Sequence, residues 1–203
     1  SEKRLQKGRK NARITDTKRI QNIRENKMEE RNISFEDLGL SEAMLKALEQ
    51  KGYGYPTTIQ AEAIPPFLQW KDVIAKAPTG TGKTFAFGIP MIEHIDAASS
   101  EVQALILAPT RELAIQIGDE LRGLLTYFTG IRVAVLYGGA GIGSQIRQME
   151  KKPQIVVATP GRLMDHYNRK TIRLDKIQTV VLDEADRMLD MGFFKDVTRI
   201  IEK

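Results

Sequence analysis

Lys83 and Thr84 follow a short glycine-rich segment, and their types and spacing could bind a polyphosphate. The segment runs from Ala77 through Pro-Thr-Gly-Thr to Gly82, after an apolar run that predicts a strand and before a helical pattern. In that order, the backbone N–H groups of the turn and the positive end of the helix dipole face a bound phosphate. Lys83 would add a charge, and Thr84 would offer a hydroxyl to Mg²⁺. An ordinary glycine-rich turn is the alternative until a second nucleotide-binding element is found.

A second element of this kind follows the apolar run at 179–182, which leads directly into Asp183-Glu184-Ala185-Asp186. A buried strand that ends in acidic residues is how a phosphate-loop protein presents a carboxylate to Mg²⁺. Asp183 is the candidate on the metal side, and Glu184 could polarise the water that attacks a terminal phosphate. A solvated acidic turn is the alternative. In a chain that also contains Gly-Thr-Gly-Lys-Thr, the metal-binding interpretation is the better one.

Three further strand ends combine a small residue or a proline with the start of a helix. They are Pro109-Thr110-Arg111-Glu112, Gly138-Gly139 and Thr159-Pro160-Gly161-Arg162. Each would let the backbone approach a ligand closely, and two add an arginine, so that together they could form a row of phosphate contacts. Taken singly, each is better explained as an ordinary turn.

Tyr53 and Gln60 are candidates for a nucleobase site. Such a site needs a flat aromatic surface and an amide that can donate and accept at once. Taken alone, a tyrosine is more often a packing residue, and a glutamine on a helix is more often a surface residue.

The elements that must position these residues alternate between strands and helices. Apolar runs predict strands at 73–77, 104–108, 133–137, 155–158 and 179–182, and periodic stretches predict helices at 83–95, 111–128, 142–151 and 161–169. Alternation with strands that are apolar throughout indicates an α/β fold, with a mostly parallel sheet and helices on both faces. Ligands of such sheets bind beyond the carboxyl ends of the strands, where the candidate residues lie.

The length and composition limit the function classes. With 203 residues the chain can form one α/β domain and a tail, and no apolar run is long enough to span a membrane. The absence of cysteine excludes disulfides and thiolate metal sites, and it fits a reducing compartment. We therefore expect a cytoplasmic protein, or a nuclear one in a eukaryote. His94 and His166 are the only histidines and are far apart in sequence, so a histidine metal cluster is not expected.

The net charge of +5 is concentrated in the N-terminal segment. Residues 1–31 contain eleven basic and five acidic residues, whereas the rest of the chain contains 20 basic and 21 acidic residues. We predict a flexible basic extension or tag at 1–32 and a domain at 33–203. A solvated tail is the commoner role of such a segment, and contact with nucleic acid is the alternative.

Over about residues 33–203 the chain resembles the first RecA-like domain of the DEAD-box RNA helicases, a P-loop NTPase fold. Asp183-Glu184-Ala185-Asp186 spells the family's name and corresponds to its motif II. The other five motifs follow the family's order: the Q motif, which recognises adenine, at Phe35, Gly52-Tyr53 and 56–60, motif I at 77–84, motif Ia at 109–113, the GG motif at Gly138-Gly139 and motif Ib at 159–162. One departure lies in the Q motif, where Thr58 occupies a position at which the family often has proline.

The resemblance implies roles for individual residues. Tyr53 would stack on adenine, and Gln60 would hydrogen-bond to the edge of the base, which selects ATP over GTP. Lys83, Asp183 and Glu184 would be catalytic: Asp183 would hold Mg²⁺ through water, and Glu184 would position the attacking water. The phosphates and Mg²⁺ would be held by Thr79, Gly80, Thr81, Gly82, Lys83 and Thr84. The RNA backbone would lie, without sequence readout, along Thr110, Arg111, Gly139, Thr159, Gly161 and Arg162.

The resemblance also implies an ATP-dependent RNA helicase, of which this chain would be the ATP- and Mg²⁺-binding N-terminal part. The family's motif III, Ser-Ala-Thr, does not occur in the chain, so the domain is expected to be truncated before the strand that carries it. A second RecA-like domain of the same polypeptide is expected to supply arginine fingers, worth about 10³–10⁵ in rate. The chain alone is not expected to unwind RNA. Neither a membrane nor an oligomer is implied.

Two alternatives of other classes stay open. The chain could be a binding module that holds adenine nucleotide and RNA without turnover. It could also be a P-loop ATPase that acts on DNA or protein, although the sequences Asp-Glu-Ala-Asp and Pro-Thr-Arg-Glu-Leu disfavour this interpretation.

Overall fold

Four short apolar segments form a parallel sheet in the computed structural model, which describes residues 33–78 and 80–202. The order across the sheet is β2-β3-β1-β4, and every neighbouring pair is parallel. The strands are β1 Ala104–Leu107, β2 Val133–Leu136, β3 Ile155–Ala158 and β4 Thr179–Leu182. These four predicted strands are therefore confirmed to within one residue. The predicted basic extension at 1–32 lies outside the described residues.

Helices connect the strands and precede them. A short 3-10 turn at Glu36–Leu38 comes first, and the Ser41 hydroxyl then caps the first helix by accepting the Met44 N–H at 3.3 Å. The helices are α1 Glu42–Gln50, α2 Thr58–Leu68, α3 Lys83–Glu93, α4 Arg111–Leu124, α5 Ile142–Glu150, α6 Pro160–Asn168, α7 Ala185–Asp190 and α8 Phe194–Ile201. Within the described part of the chain, no helix is long and apolar enough to cross a membrane.

Alternate residues of the strands face two hydrophobic cores. Ile106 of β1 belongs to the core formed with α1 to α4, which contains Ile117 and Leu121 of α4. Leu105 faces the opposite core, which α6, α7 and α8 cover and which contains Met188 of α7. Each such buried side chain stabilises the fold by about 1.5–3 kcal/mol relative to an exposed one. Helices on both faces of a buried parallel sheet confirm the predicted α/β fold.

The predicted strand at 73–77 is wrong. Residues 71–78 form neither strand nor helix, and the Ile74 side chain is fully exposed. A strand needs a neighbour whose backbone groups bond to its own N–H and C=O groups, and no described strand pairs with this run. β4 is the edge of the described sheet, with Val180 and Leu182 exposed. Apolar composition indicated a strand here, but pairing decides whether one forms.

Candidate functional site

The glycine-rich turn predicted to bind phosphate leads directly into α3. Gly80 and Gly82 have φ angles of 82° and 86°, in the left-handed region that favours glycine. The Thr81 hydroxyl closes the turn by donating to the Pro78 C=O at 2.7 Å. The first turn of α3 follows at once, and a helix N-terminus carries N–H groups without intrahelical partners. Thr79, also predicted to contact phosphate, lies outside the described residues.

Gln60 of α2 is hydrogen-bonded to this turn. Its side chain is 4% exposed, its amide oxygen accepts the Thr57 N–H at 2.9 Å, and its amide nitrogen donates to the Gly82 C=O at 3.2 Å. The Thr57 hydroxyl donates to the Thr81 C=O at 2.9 Å. This contact with the turn was not predicted. After these bonds the Gln60 amide retains one N–H and one lone pair for another ligand.

Tyr53 lies beside the start of α3. Its ring contacts Phe85 edge-to-face, with the ring centroids 5.1 Å apart and the ring planes at 75°. Phe85 belongs to the first turn of α3, so this contact fixes Tyr53 relative to the phosphate-binding turn. The Tyr53 side chain is 48% exposed, and its open surface can stack on a flat ligand. The structure thus brings both predicted nucleobase residues, Tyr53 and Gln60, to the predicted turn.

Lys83 and Asp183 are close enough for the charge of one to act on the other. Burial raises the pKa of the Asp183 carboxyl, the Lys83 ammonium lowers it, and the Glu184 charge raises it. Lys83 is the first residue of α3, whereas Asp183 directly follows β4 and donates its N–H to the Leu107 C=O at 3.0 Å. The charge at the start of α3 thus acts on the carboxylate at the end of β4.

A hydroxyl at the start of α3 and a carboxylate after β4 are oxygen groups of the kind that hard cations such as Mg²⁺ bind. Thr84 is the second residue of α3, beside Lys83, and Asp183 provides a carboxylate. Mg²⁺ usually keeps several waters and binds one or two protein carboxylates together with substrate phosphates. Residues 33–78 and 80–202 contain no group of three or more His, Asp or Glu that could hold a metal by themselves.

Glu184 is held by its backbone and by an ion pair. Its φ of 49° and ψ of 50° lie in the left-handed region, which is uncommon for a residue with a side chain, and it is the N-cap of α7. Its Oε2 accepts from Arg187 Nη1 at 3.0 Å. We did not predict this ion pair. The spacing of three residues at a helix start was the available signal.

Side chains connect the three further strand ends predicted to bind phosphate. The Arg111 guanidinium lies over the Tyr137 ring, 5.2 Å from its centroid. Arg162 donates from both Nη atoms to the Ala140 C=O, each at 3.1 Å. Gly139, between these contacts, has a φ of 79°. Because β2, β3 and β1 are neighbours, their carboxyl ends lie side by side, and the three segments form one continuous edge.

The remaining predicted residues of this edge begin two helices. Thr110 caps α4 by accepting the Leu113 N–H at 3.3 Å. Thr159 is the N-cap of α6, and its own N–H donates to the Leu136 C=O at 2.9 Å. Gly161 lies in the first turn of α6. Two helix N-termini therefore lie at this edge, and helix N-termini favour anions.

Comparison with known proteins decides the family. Residues 57–203 match the family model described as DEAD/DEAH box helicase. The chain belongs to the DEAD/DEAH box helicase family. The RecA-like fold and the predicted resemblance to the DEAD-box proteins are thereby confirmed. No ligand contact of an individual residue is tested by this membership, so the residue roles stay predictions.

Several members of the DEAD/DEAH box helicase family are similar to this chain. The ATP-dependent RNA helicase CshA of Listeria monocytogenes is 53% identical over 169 residues, which cover 83% of this chain and 32% of the relative. CshA of Geobacillus kaustophilus, named a DEAD-box ATP-dependent RNA helicase, is 52% identical over 172 residues, 83% of this chain and 36% of that protein. The chain thus spans about a third of the length of these relatives.

Solved structures of the family agree with the fold. A DEAD box protein from Methanococcus jannaschii is 44% identical and superimposes with a TM-score of 0.79, covering 85% of this chain and 47% of the other. A hypothetical ATP-dependent RNA helicase from Sulfolobus tokodaii is 37% identical with a TM-score of 0.74, covering 80% of this chain and 47% of the other.

Proposed function

We propose that the chain is the ATP-binding N-terminal RecA-like domain of an ATP-dependent RNA helicase. The observation that carries the proposal is the glycine-rich turn that leads into α3, in which Gly80 and Gly82 are left-handed and Gln60 donates to the Gly82 C=O. A nucleoside triphosphate with its metal needs a phosphate-binding turn on one side and a carboxylate on the other. Family membership supports the same function, as do relatives named ATP-dependent RNA helicase.

ATP would bind between Tyr53 and the glycine-rich turn. Tyr53 would stack on adenine, and the remaining N–H and lone pair of Gln60 would pair with the edge of the base, which favours adenine over guanine. Lys83 and the N–H groups of the turn, Thr79, Gly80, Thr81 and Gly82, would contact the phosphates. Because Gln60 also bonds to the Gly82 C=O, one side chain would couple the base site to the phosphate site.

Hydrolysis would depend on the two acidic residues after β4. Thr84 and Asp183 would hold Mg²⁺, Asp183 partly through water, and the ion would neutralise charge on the phosphates. Asp183 must be ionised for this role, and the Lys83 ammonium favours the ionised form against the effect of burial. Glu184 would orient and deprotonate the water that attacks the γ-phosphorus, so that ADP leaves. Its ion pair with Arg187 must therefore open, or leave the second carboxylate oxygen free.

RNA would lie along the edge formed by Thr110, Arg111, Gly139, Thr159, Gly161 and Arg162. The edge offers two arginines, two helix N-termini and a glycine that lets the backbone approach closely. Such contacts reach phosphates and sugars rather than base edges, so binding would be largely independent of sequence and sensitive to salt.

A second RecA-like domain of the same polypeptide would complete the RNA surface and supply arginine fingers to the triphosphate. This chain by itself would bind nucleotide and RNA but would not unwind a duplex. The absence of cysteine is typical of a reducing compartment, so we propose a cytoplasmic location, or a nuclear one in a eukaryote.

RNA-stimulated ATP hydrolysis by the full-length protein tests this function. Glu184→Gln keeps the size of the side chain and removes its charge, so RNA-stimulated turnover should fall by about 10²-fold or more. Glu49→Gln, at an exposed position of α1, is the matched control and should leave turnover unchanged. Equal turnover by wild type and Glu184→Gln would contradict the catalytic assignment.

Adenine recognition has its own test. Calorimetry should detect binding of ADP but not GDP to the wild-type chain, and Gln60→Ala should weaken ADP binding. Equal binding of the two nucleotides would refute the role of Gln60. Nucleotide binding without any turnover by the full-length protein would favour a binding module.

A further inference from the structure

A relay of buried polar side chains runs from the turn after α6 to the GG motif. His166 of α6 is completely buried, and its Nδ1 lies 2.7 Å from the Thr171 hydroxyl. On the other side of the ring, its Nε2 lies 3.4 Å from Oε1 of Gln145, a residue of α5 that is 2% exposed. The Gln145 amide nitrogen donates to the Tyr137 C=O at 2.9 Å. Four residues from three segments are thus connected in one line.

The hydrogen bonds of the relay assign the proton on His166. The Gln145 amide donates to a carbonyl, so its oxygen faces His166, and Nε2 must carry the hydrogen. Nδ1 is then an acceptor and takes the hydrogen of the Thr171 hydroxyl. That hydroxyl also donates to the His166 C=O at 3.0 Å, so its hydrogen is shared between Nδ1 and this carbonyl, which accepts the Thr171 N–H at 3.0 Å as well. Every polar group of the relay is satisfied by a neutral imidazole.

The surroundings of His166 favour this neutral form. Burial lowers the pKa of His166, and the positive charges of Arg162 and Arg169 lower it further, whereas Asp165 raises it. A neutral imidazole donates from one nitrogen and accepts at the other, so the three hydrogen bonds of the relay all point the same way, from Thr171 to Tyr137. It therefore holds one specific arrangement of α5 and α6 relative to the end of β2.

The far end of the relay lies at the proposed RNA edge. The Tyr137 C=O directly precedes Gly138-Gly139, and the Tyr137 ring lies under Arg111. Two residues after Gly138, the Ala140 C=O accepts both Nη atoms of Arg162. Residues 137–140 thus contact both arginines of the edge, and the relay fixes the start of this segment.

We propose that His166 and Gln145 are positioning residues for RNA binding. Both are buried, so neither touches RNA; they hold residues 137–140 where Arg111, Gly139 and Arg162 reach neighbouring phosphates. The inference rests on the proposed RNA-binding function and assigns residues to that site which no motif of the sequence includes.

Gln145→Met in the full-length protein tests the proposal, because methionine keeps the size of the side chain and removes both bonds. Gln148→Met is the matched control: Gln148 lies on the same helix and accepts the Val135 N–H at 3.2 Å, but it is outside the relay. The half-saturating RNA concentration for ATP hydrolysis should rise roughly tenfold in Gln145→Met, the order expected if the cost of losing the buried bonds of Gln145 appears partly in RNA binding. The maximal rate should change by less than about threefold. Gln148→Met should leave the half-saturating RNA concentration and the maximal rate unchanged.

A merely structural role would lower the fraction of folded enzyme, and thus the maximal rate, with the RNA concentration dependence unchanged. That result, or an equal shift in Gln148→Met, would overturn the proposal. Thr171→Val gives a milder perturbation in case Gln145→Met does not fold. It removes the hydroxyl that donates to Nδ1, so it should shift the RNA dependence in the same direction, and Thr171→Ser should restore it. An unchanged RNA dependence in Thr171→Val would also count against the relay.

The same assay distinguishes a failure of the proposed helicase function from a failure of the proposed role of His166 and Gln145. If the wild-type protein shows no RNA-stimulated hydrolysis, the proposed function fails and the relay has no such role. If the wild type is stimulated and Gln145→Met responds to RNA as the wild type does, only the relay proposal fails.

Discussion

Alanine at Gly82 should destabilise the protein more than alanine at Gly80, although both glycines belong to the same turn. Their φ angles are 86° and 82°, so alanine at either position costs about 1–2 kcal/mol in backbone strain. A Cβ at Gly80 meets no atom within 4 Å, whereas a Cβ at Gly82 collides with the Gln60 amide nitrogen. The two substitutions therefore differ by the Gln60 contact.

The size of this difference follows from the bonds that Gln60 makes. Its displacement breaks the bond to the Gly82 C=O and disturbs the bond from the Thr57 N–H. A buried amide left without partners costs about 1–3 kcal/mol. Gly82→Ala should therefore lower the free energy of unfolding by about 2–5 kcal/mol, and Gly80→Ala by about 1–2 kcal/mol.

Urea unfolding of the nucleotide-free protein measures both values, and a double-mutant cycle isolates the contact. Gln60→Ala removes the amide nitrogen that a Cβ at position 82 would meet. In that background Gly82→Ala should lower the free energy of unfolding only by the backbone strain, as Gly80→Ala does. Equal destabilisation of the two glycine variants in the wild-type background would contradict the predicted collision with Gln60. An unchanged cost of Gly82→Ala in the Gln60→Ala background would also contradict it.

Three further predictions concern charged residues of the site. Asp183→Asn should stabilise the free protein more at pH 7 than at pH 3.5, which urea unfolding at both pH values measures. The pKa of Asp183 is raised on folding, so the wild type loses stability as the pH rises from the ordinary value of 3.8 through the folded pKa. Arg187→Gln should change the free energy of unfolding in urea by less than about 1 kcal/mol, because its ion pair with Glu184 is partly exposed. Arg162→Gln should reduce the slope of log affinity for RNA against log salt concentration by about 0.7, measured by titration at several salt concentrations.

The parts of the fold and site that depend on local sequence could be predicted. β1 and β3 are apolar at every position because both faces are buried, and such runs indicate strands of a parallel sheet. The turn at Gly80 and Gly82 needs left-handed backbone, which glycine supplies, and the helix after it follows from the pattern. The position of Asp183 then follows from the rule that ligands bind beyond the carboxyl ends of parallel strands, whereas no described strand precedes Lys83.

The parts that depend on contacts between distant segments could not be predicted. The run at 73–77 has the composition of a strand, but no described strand pairs with it. The sequence indicates Gln60 as a candidate to recognise adenine, but it does not indicate the buried bond to Gly82, a residue 22 positions away. The sequence offers His166 only as a possible metal ligand, because nothing in it indicates that Gln145, on another helix, lies beside its ring. Periodicity identifies buried positions but not their partners.

The most direct test of the account measures the interaction of Lys83 with Asp183. NMR titration of the Asp183 carboxyl in the free protein should give a pKa above its ordinary value of 3.8, because burial raises it. Lys83→Met removes the ammonium that lowers this pKa, so the pKa should rise further, whereas Lys151→Met, at an exposed position on α5's C-terminal side, should not change it. If the Asp183 pKa is the same in the wild type and in Lys83→Met, the two groups do not face one space, and the nucleotide site proposed between them is contradicted.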